Sequence, residues 1–428
     1  MNKKWSIRIE CERTILSNLL KATTAIQVLL FVCCLTSPLG SAEDQFTLDI
    51  FGNANLDDRI DEMDISYVEG IISRENKPTN LSDANYDGQI DQKDIDLIEM
   101  IIKNEESELV LMDYVDRVIK LKMPVERVAL LNEYSIEGIQ IFGVQDKIIG
   151  VDTDAREYTY LPEVSSLPDL GKAKNPDLET ILSLDPDLII TCYYPNIPDL
   201  EKNIPQSIPI IDLSFTKPDN LSQEVKTLGY IFGKVDLADD YIENFHDKYV
   251  DLVRSRIEGV SENERPRVYL ESSSPYKTYG NTTGAHQMMV LAGGKNIFDD
   301  TAGLPTVDPE AIIDKDPEII IRGGYTDAGY SVDDSSKMIE LRDEIMSRSG
   351  FDSIQAVNEN KTYVVDVNLH YGLDYPIGLV YFAKIIHPEL FIDVDPMKVH
   401  QEFLTEFLGV DFDLSKHGVF VYPSLEEN

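Results

Sequence analysis

Cysteine is nearly absent from the chain beyond residue 42. The 428 residues include four cysteines, and only Cys192 follows that point. A single thiol cannot form an intrachain disulfide. We therefore expect the folded domains to be stabilised by apolar cores, with bound metal as the other available source of stability.

Positive charge is also scarce. The chain has 38 Lys and Arg residues against 77 Asp and Glu residues, a net charge of −39 at pH 7. Without the first 42 residues, which hold five basic and two acidic residues, the net charge becomes −42. Such a field repels phosphate backbones and attracts cations, so nucleic-acid binding is excluded.

The N-terminal region lacks an apolar run long enough to span a bilayer comfortably. Its apolar run, residues 25–35, follows five basic residues and precedes a segment of small residues. This order is typical of a secretory signal, which we predict to be residues 1–42 with cleavage near Ala42. An uncleaved N-terminal anchor is the alternative. Either way we predict an exported protein with an extracytoplasmic or cell-surface location.

Two acidic loops recur thirty residues apart, each followed by a helical apolar pattern. Calcium prefers six to eight oxygen ligands, and the loops offer them at positions 1, 3, 5, 7, 9 and 12. The predicted ligands are Asn53, Asn55, Asp57, Asp61 and Asp64 in the first loop, and Asp83, Asn85, Asp87, Gln89 (through its carbonyl), Asp91 and Asp94 in the second. We expect the second site to be stronger, because the first has neutral Asn53 at position 1 and Asp58 where glycine is usual. Acidic turns that only cap helices are the alternative.

This region, residues 43–108, is predicted to be a small all-α module. Its tandem loops, with Asp rather than Glu at position 12, resemble type I dockerin modules over roughly residues 45–105. The resemblance implies two calcium ions and a cohesin-like partner. A calcium-stiffened spacer is the alternative role.

From Val115 onward, short β-branched runs alternate with helical stretches. Examples are RVALLN, KIIGVD and DLIITC in the first half, and RVYLE, EIIIRG and TYVVDV in the second. Strands separated by helices predict α/β lobes with parallel sheets. We place one lobe at 109–234 and another at 260–428. A long polar helix at 235–259, with few turn signals, is predicted to join them.

One stretch occurs in both lobes. It reads NPDLETILSLDPDLII from Asn175 and TVDPEAIIDKDPEIII from Thr306, in each case a helix that leads into a buried strand. Glu179 and Glu310 fall in the first helical turn, where a carboxylate is favourable. Taken singly, each is best explained as an ordinary N-terminal carboxylate, but the duplication favours a shared role.

Ligands of open α/β sheets collect at the carboxyl ends of the strands. Tyrosine supplies a flat face and a hydroxyl there, and arginine pairs with oxygen anions. The predicted ligand-binding residues at these ends are Tyr134, Arg156, Tyr193, Tyr194, Tyr276, Tyr279, Arg322, Tyr325, His370 and Tyr371. Arg322 is the preferred candidate, because a guanidinium directly after three isoleucines is costly without a partner. We interpret Tyr158 and Tyr160 as packing residues.

At this point the chain resembles the substrate-binding proteins of ABC importers for iron–siderophore complexes, haem and vitamin B12. The stretches that carry the resemblance, within about residues 110–405, are VERVALLNEY, VSSLPDLGKAKNPDLETILSLDPDLII, the joining helix, LAGGKNIF and YFAKIIHPEL. It implies two Rossmann-like lobes on a rigid helical backbone, an iron chelate or corrinoid as ligand, and an ABC permease as partner. It also implies that Glu179 and Glu310 dock onto permease arginines, although the proline before Glu310 is shifted by one place.

Other function classes have less support. A bare zinc or manganese site would have to recruit His286, His370 and Glu271, and no paired-histidine spacing points to it. A cell-surface scaffold or adhesion protein built around the calcium module is a further alternative. We find no nucleophile elbow, phosphate loop or paired-base arrangement, so an enzyme is not predicted. The sequence assigns no role to the residues after Leu408.

Overall fold

The computed structural model describes residues 48–192, 195, 197–324 and 328–425, which belong to one compact unit. The predicted signal segment lies outside the described residues. So do three of the predicted ligand contacts, Tyr193, Tyr194 and Tyr325.

Two short helices follow the two acidic loops. They are α1 (Glu62–Ile72) and α2 (Gln92–Ile102). Each begins with an aspartate N-cap that forms a reciprocal capping box with the aspartate three positions on, which satisfies otherwise unpaired backbone donors. The buried apolar side chains of both helices, Val68 and Ile98 among them, belong to the core that continues into the lobes.

An antiparallel hairpin connects these helices to the rest of the chain. It consists of β1 (Ser107–Met112) and β2 (Val118–Met123). Because β1 begins at Ser107, the predicted boundary after residue 108 falls inside a strand. The hairpin was not expected from the sequence.

The first lobe contains a four-stranded parallel sheet in the order β4-β3-β7-β8. Its strands are almost entirely buried, as expected for a parallel sheet covered on both faces. The elements in chain order are β3 (Val128–Leu131), α3 (Ile136–Phe142), β4 (Ile148–Val151), α4 (Pro162–Ser165), β5 (Gly171–Lys172), β6 (Asn175–Pro176), α5 (Leu178–Ser183), β7 (Leu188–Thr191), α6 (Ile197–Asn203), β8 (Ile210–Asp212) and α7 (Pro218–Phe232).

A continuous helical segment joins the lobes within the predicted range. It consists of α8 (Val235–Tyr241), a π-helical turn (Ile242–His246) and α9 (Asp247–Ile257). Phe245 stacks on Phe403 of the second lobe with ring centroids 5.0 Å apart, so the joining helix is packed rather than free.

The second lobe has a five-stranded sheet in the order β10-β9-β11-β12-β13, in which only β13 is antiparallel to its neighbour. The prediction of α/β lobes with parallel sheets is therefore confirmed. The elements in chain order are β9 (Arg267–Glu271), α10 (Gly284–Leu291), β10 (Lys295–Asn296), α11 (Pro309–Lys315), β11 (Ile319–Gly324), α12 (Ser336–Met346), α13 (Gln355–Asn358), β12 (Thr362–Asp366), α14 (Tyr375–Ile386), α15 (Pro396–Glu402), a π-helical turn (Phe403–Phe407) and β13 (Val421–Tyr422).

The residues after Leu408, which had no predicted role, complete this sheet. Strand β13 pairs with the edge of β12, and Val419 forms a bridge with Gly329. Within the described ranges, no helix combines the length and apolar content needed to cross a bilayer.

Candidate functional site

A cavity of about 380 Å³ lies between the two lobes. The first lobe lines it with residues 133–134 after β3 and residues within 154–160 after β4, and the second with residues 328–331 after β11 and residues within 366–374 after β12. These segments follow the carboxyl ends of parallel strands in both sheets, where open α/β sheets bind ligands. The volume is in the range of small-molecule sites.

Tyrosines from both lobes meet in this cavity. The rings of Tyr160 and Tyr330, one from each lobe, lie 3.9 Å apart between centroids, and Tyr158 lies 5.9 Å from Tyr160. The Tyr330 hydroxyl is 2.6 Å from Nε2 of His400, and this hydrogen bond holds the Tyr330 ring in position. Our interpretation of Tyr158 and Tyr160 as packing residues is incomplete, because both line the cavity.

Two buried carboxylates line the cavity. Asp366 and Asp374 are 1 % and 5 % exposed, and the Oδ1 atom of Asp374 has no hydrogen-bond partner in the described part of the chain. Burial raises the pKa of Asp366 to about 7, and burial together with the nearby charges of Glu137 and Asp366 raises the pKa of Asp374 well above its usual value. Glu137 accepts a hydrogen bond of 2.8 Å from the Tyr160 hydroxyl.

Two predicted contacts, Tyr134 and Arg156, are in the cavity wall. The guanidinium of Arg156 is half-exposed and lies 3.8 Å from Asp169. Glu133, next to Tyr134, is largely buried, and burial followed by the nearby charge of Asp152 raises its pKa to about 7.

Three more predicted residues form a cluster against Tyr134. Tyr371 lies 5.1 Å from Tyr134 between ring centroids, and its hydroxyl is hydrogen-bonded to that of Tyr279. His370 packs edge-on against Tyr279 at 6.0 Å, and burial lowers its pKa to about 4, so the ring is neutral at pH 7. The structure thus brings four predicted contacts from two lobes into one cluster.

The structure does not support Arg322 as the preferred ligand contact. As its cost suggested, the guanidinium has a partner, but that partner is Glu271 at 2.6 Å inside the second lobe. Glu271 also pairs with Arg348 at 2.8 Å and accepts a hydrogen bond from the backbone N–H of Tyr276. Arg322 and Tyr276 therefore belong to an internal network, and we remove them from the proposed contacts.

The bare-metal alternative gains no support from the geometry. Of its three donors, Glu271 is committed to arginines, and Nδ1 of His286 lies 3.0 Å from Asn296. In the part of the chain that the structure describes, no three His, Cys, Asp or Glu side chains converge closely enough to hold one metal ion.

Three residues of the cavity were not predicted from the sequence: Asp366, Asp374 and Tyr330. Asp366 is the last residue of β12, and Asp374 follows His370 by four positions, so the strand-end rule that selected His370 also covers this segment. Tyr330 was harder to find, because it lies six residues beyond the end of β11.

The two duplicated glutamates occupy equivalent places in the two lobes. Glu179 is exposed in the first turn of α5, and Glu310 is exposed in the first turn of α11. Aspartate side chains cap both helices, and each helix leads into a central strand of its own sheet. The structure does not test the docking role itself.

The two acidic loops share one backbone course. Positions 4 and 6 have positive φ in both: Leu56 and Asp58 in the first, Tyr86 and Gly88 in the second. Aspartate adopts this conformation less readily than glycine, but Asp58 has its own role, because its carboxylate accepts the Leu48 N–H at 2.7 Å.

The donor chemistry of the loops fits calcium. Asp64 and Asp94, at position 12, are fully buried, and burial raises the pKa of Asp64 to about 6. The Oδ1 atoms of Asn53 and Asn85 have no hydrogen-bond partner among the described residues. Both carboxylates already accept backbone N–H groups, so the two asparagine oxygens are the buried atoms that a cation or donor would still have to satisfy.

The loop carboxylates are not drawn together around one point. Asp83 accepts hydrogen bonds from the backbone N–H groups of Asp87 and Gly88, and Lys93 lies 3.1 Å from the Asp87 carboxylate. Calcium binding would therefore require Asp87 to exchange its contact with Lys93 for the ion.

Comparison with known proteins identifies a matching family and several relatives. A family model described as periplasmic binding protein matches residues 128–369. The molybdate-binding protein MolA of Haemophilus influenzae is 22 % identical over 342 residues, covering 72 % of this chain and 92 % of that protein. The vitamin B12-binding protein of Pectobacterium atrosepticum is 26 % identical over 235 residues, covering 53 % of this chain and 83 % of that protein.

Solved structures share the fold. Helicobacter pylori CeuE with Ni(II) bound superposes with a TM-score of 0.58 at 17 % identity, covering 71 % of this chain and 96 % of that chain. MolA bound to molybdate gives a TM-score of 0.59 at 19 % identity, covering 71 % of this chain and 99 % of that chain.

Proposed function

Because this chain belongs to the periplasmic binding protein family, we propose that it is an exported solute-binding protein that delivers an iron chelate or a corrinoid to an ABC importer. The observation that carries the proposal is the cavity between the lobes, lined from the strand ends of both sheets. A solute held there contacts both lobes at once, so its binding energy favours the closed arrangement.

Residues of the cavity form the contact between the lobes. The rings of Tyr160 and Tyr330, one from each lobe, pack in a tilted arrangement, and so do those of Tyr134 and Tyr371. Flat aromatic faces suit a bulky, partly apolar solute and lose little conformational entropy on binding. The joining helix packs against Phe403 of the second lobe, and this contact restricts how far the two lobes can move relative to each other.

Delivery requires contact with a membrane permease. Glu179 and Glu310 are exposed at matching helix starts, one in each lobe, and they suit two arginine sites on a two-fold permease. We therefore assign them to permease docking rather than to solute binding.

An uptake assay tests this assignment. Native mass spectrometry of protein purified from its producing cells identifies the solute, and uptake of that solute is then measured with Glu179→Arg and Glu310→Arg. Each reversal of charge should abolish uptake and leave solute binding unchanged. Glu340→Arg, an exposed glutamate on α12, is the matched control and should support normal uptake.

Uptake by both reversed variants at the level of the unchanged protein would contradict docking through these residues. A purified protein that binds no solute, with the control variant also inactive in uptake, would contradict the solute-binding function itself.

We further propose that the N-terminal loops bind two calcium ions. The buried Asp64 and Asp94 carboxylates and the unpaired oxygens of Asn53 and Asn85 support this assignment. Docking to a cohesin-like partner is a prediction from the resemblance alone. A binding titration with a purified cohesin module, with and without calcium, tests it.

A further inference from the structure

The titratable side chains of the interlobe cavity that carry charge when ionised are mostly acidic. Its wall carries five carboxylates and one guanidinium. Lys172 lies 2.6 Å from Asp154 and neutralises it, while the guanidinium of Arg156 lies near Asp169. The other four carboxylates of the wall have no ion-pair partner among the described residues; they are Glu133, Glu157, Asp366 and Asp374.

The acidity of the whole chain does not explain this arrangement. Most carboxylates of a chain with a net charge of −39 stay in water, where they cost little. Asp366 and Asp374 are almost fully buried, where an ionised carboxylate is unfavourable unless a positive group neutralises it. A positively charged group bound in the cavity would therefore stabilise the ionised form of these two carboxylates.

One carboxylate oxygen in the cavity wall lacks a hydrogen-bond partner. Oδ1 of Asp374 is buried without a hydrogen-bond partner in the described part of the chain, and Asp374 lines the cavity. Buried carboxylate oxygens in folded proteins nearly always have a partner, so this oxygen at the cavity wall is available to accept from a donor or cation of a bound solute.

The aromatic lining suits the same kind of group. Tyr134, Tyr158, Tyr160 and Tyr330 line the cavity, and the face of a tyrosine ring attracts a cation. Direct coordination of a naked metal ion is disfavoured, because no three acidic, His or Cys side chains of the described residues converge on one point. The positive charge must then come with its own organic shell.

We infer that the cavity selects a positively charged solute, either an organic ammonium compound or a metal chelate of net positive charge. Asp374 pairs with the positive group, and the tyrosine faces cover its apolar surface. This inference rests on the proposed solute-binding function and names the charge class of the solute. A preference for positive charge would distinguish this cavity from that of the Haemophilus influenzae relative, whose name describes the binding of an oxyanion, molybdate.

Matched probes that differ only in charge test the inference. For the ammonium source the pair is choline and its neutral carbon analogue 3,3-dimethylbutan-1-ol. For the chelate source the set is a ferric trihydroxamate with a free amine, which is positive, and its neutral N-acetyl and negative N-succinyl derivatives. Binding is followed by calorimetry, with molybdate as the oxyanion probe. The set that binds identifies the source of the charge.

We expect the positive member of one set to bind at least about tenfold more tightly than its neutral analogue. Asp374→Asn, which keeps the shape and removes the charge, should lose about that tenfold preference. Asp366→Asn provides the same measurement if the first variant does not fold. Glu340→Gln, on the exposed face of α12, is the control and should bind as the unchanged protein does.

Binding of the positive probe should also release protons near pH 7, because burial holds the pKa of Asp366 and Asp374 above the usual range and the bound charge lowers it again. Calorimetry in two buffers of different ionisation enthalpy measures this release.

Equal or tighter binding of the neutral, negative or molybdate probes would overturn the inference and leave the solute-binding function intact. Failure of every positive probe to bind at its solubility limit would also overturn it. The uptake assay with the Glu179 and Glu310 variants does not depend on the charge of the solute, so the two conclusions can fail separately.

Discussion

The carboxylate of Glu271 is shared by two guanidinium groups inside the second lobe. Arg322 lies 2.6 Å from one of its oxygens, and Arg348 lies 2.8 Å from the other. All three side chains are buried. Because removal of one member of such a group leaves the others charged and unpaired, it typically costs about 3–5 kcal/mol.

We predict that Glu271→Gln lowers the free energy of unfolding by about 3 kcal/mol and leaves solute affinity unchanged, since Glu271 does not line the cavity. Urea denaturation and a solute titration measure the two effects. Glu359→Gln, which removes an exposed pair with Lys361, is the control and should change stability much less. A loss of affinity without a loss of stability would return Arg322 and Glu271 to the binding site.

Arg322 also shows what a sequence reveals about a single residue. The cost of burying arginine predicts that it has a partner, and it has one. The sequence does not identify the partner, because Glu271 is 51 positions away and becomes adjacent only when β9 pairs with β11. Tyr134, Tyr279 and Tyr371 lie close together because strand ends converge whatever the details of packing, and their contact with a solute stays a prediction.

At the scale of elements, the C-terminal strand supports the cavity from behind. Phe420, beside β13, lies 4.8 Å from Tyr330 and 4.4 Å from His400 between ring centroids. Tyr330 in turn packs on Tyr160 of the other lobe with the two rings tilted. This tail therefore positions a cavity residue and also completes the sheet.

We predict that Phe420→Ala lowers the free energy of unfolding by about 3 kcal/mol and also weakens solute binding, because Tyr330 loses its support. Phe391→Ala is the matched control: Phe391 is equally buried but packs on Arg256 rather than on a cavity residue. It should cost similar stability and leave affinity unchanged. Chemical denaturation and solute titration compare the two variants, and an equal effect on affinity would contradict a positioning role for the strand.

Elements differ in how far the sequence predicts them. In the sequence, the buried parallel strands appear as runs of β-branched residues. Strands β7 and β11 lie where those runs predict them. The hairpin β1-β2 was not predicted although each of its strands has six residues, because it is antiparallel and separate from the parallel sheets. The two-residue strand β13 carries too little pattern of its own, since it depends on the edge of β12.

At the scale of the whole molecule, the two N-terminal acidic loops pack directly against the lobes. The Ile60 N–H of the first loop donates to the Tyr230 hydroxyl of α7 at 2.7 Å. Lys226 of the same helix donates to the Asp58 carbonyl at 3.1 Å. Apolar residues of the module and of both lobes form one continuous core. The first loop and α7 are therefore in direct contact.

We predict that removing calcium with a chelator lowers the melting temperature of the whole chain in a single transition. An ion present at 1,000 times its dissociation constant stabilises the folded state by about 4 kcal/mol, and the shared core spreads that gain over the lobes. The effect should shrink below about pH 6, because ionised Asp64 is needed for calcium and burial raises its pKa to about 6. Calorimetric melting across this pH range measures both.

The coupling itself is tested by Tyr230→Phe, which removes the hydroxyl that holds the first loop and keeps the buried ring. Calcium should still bind, but its effect on the melting of the lobes should decrease, because one direct connection between loop and helix is lost. Tyr67→Phe, which removes an exposed hydroxyl within the module, is the control and should retain the full effect. Two separate transitions in the unchanged protein, with only the smaller one sensitive to calcium, would show that the loops form an independent domain.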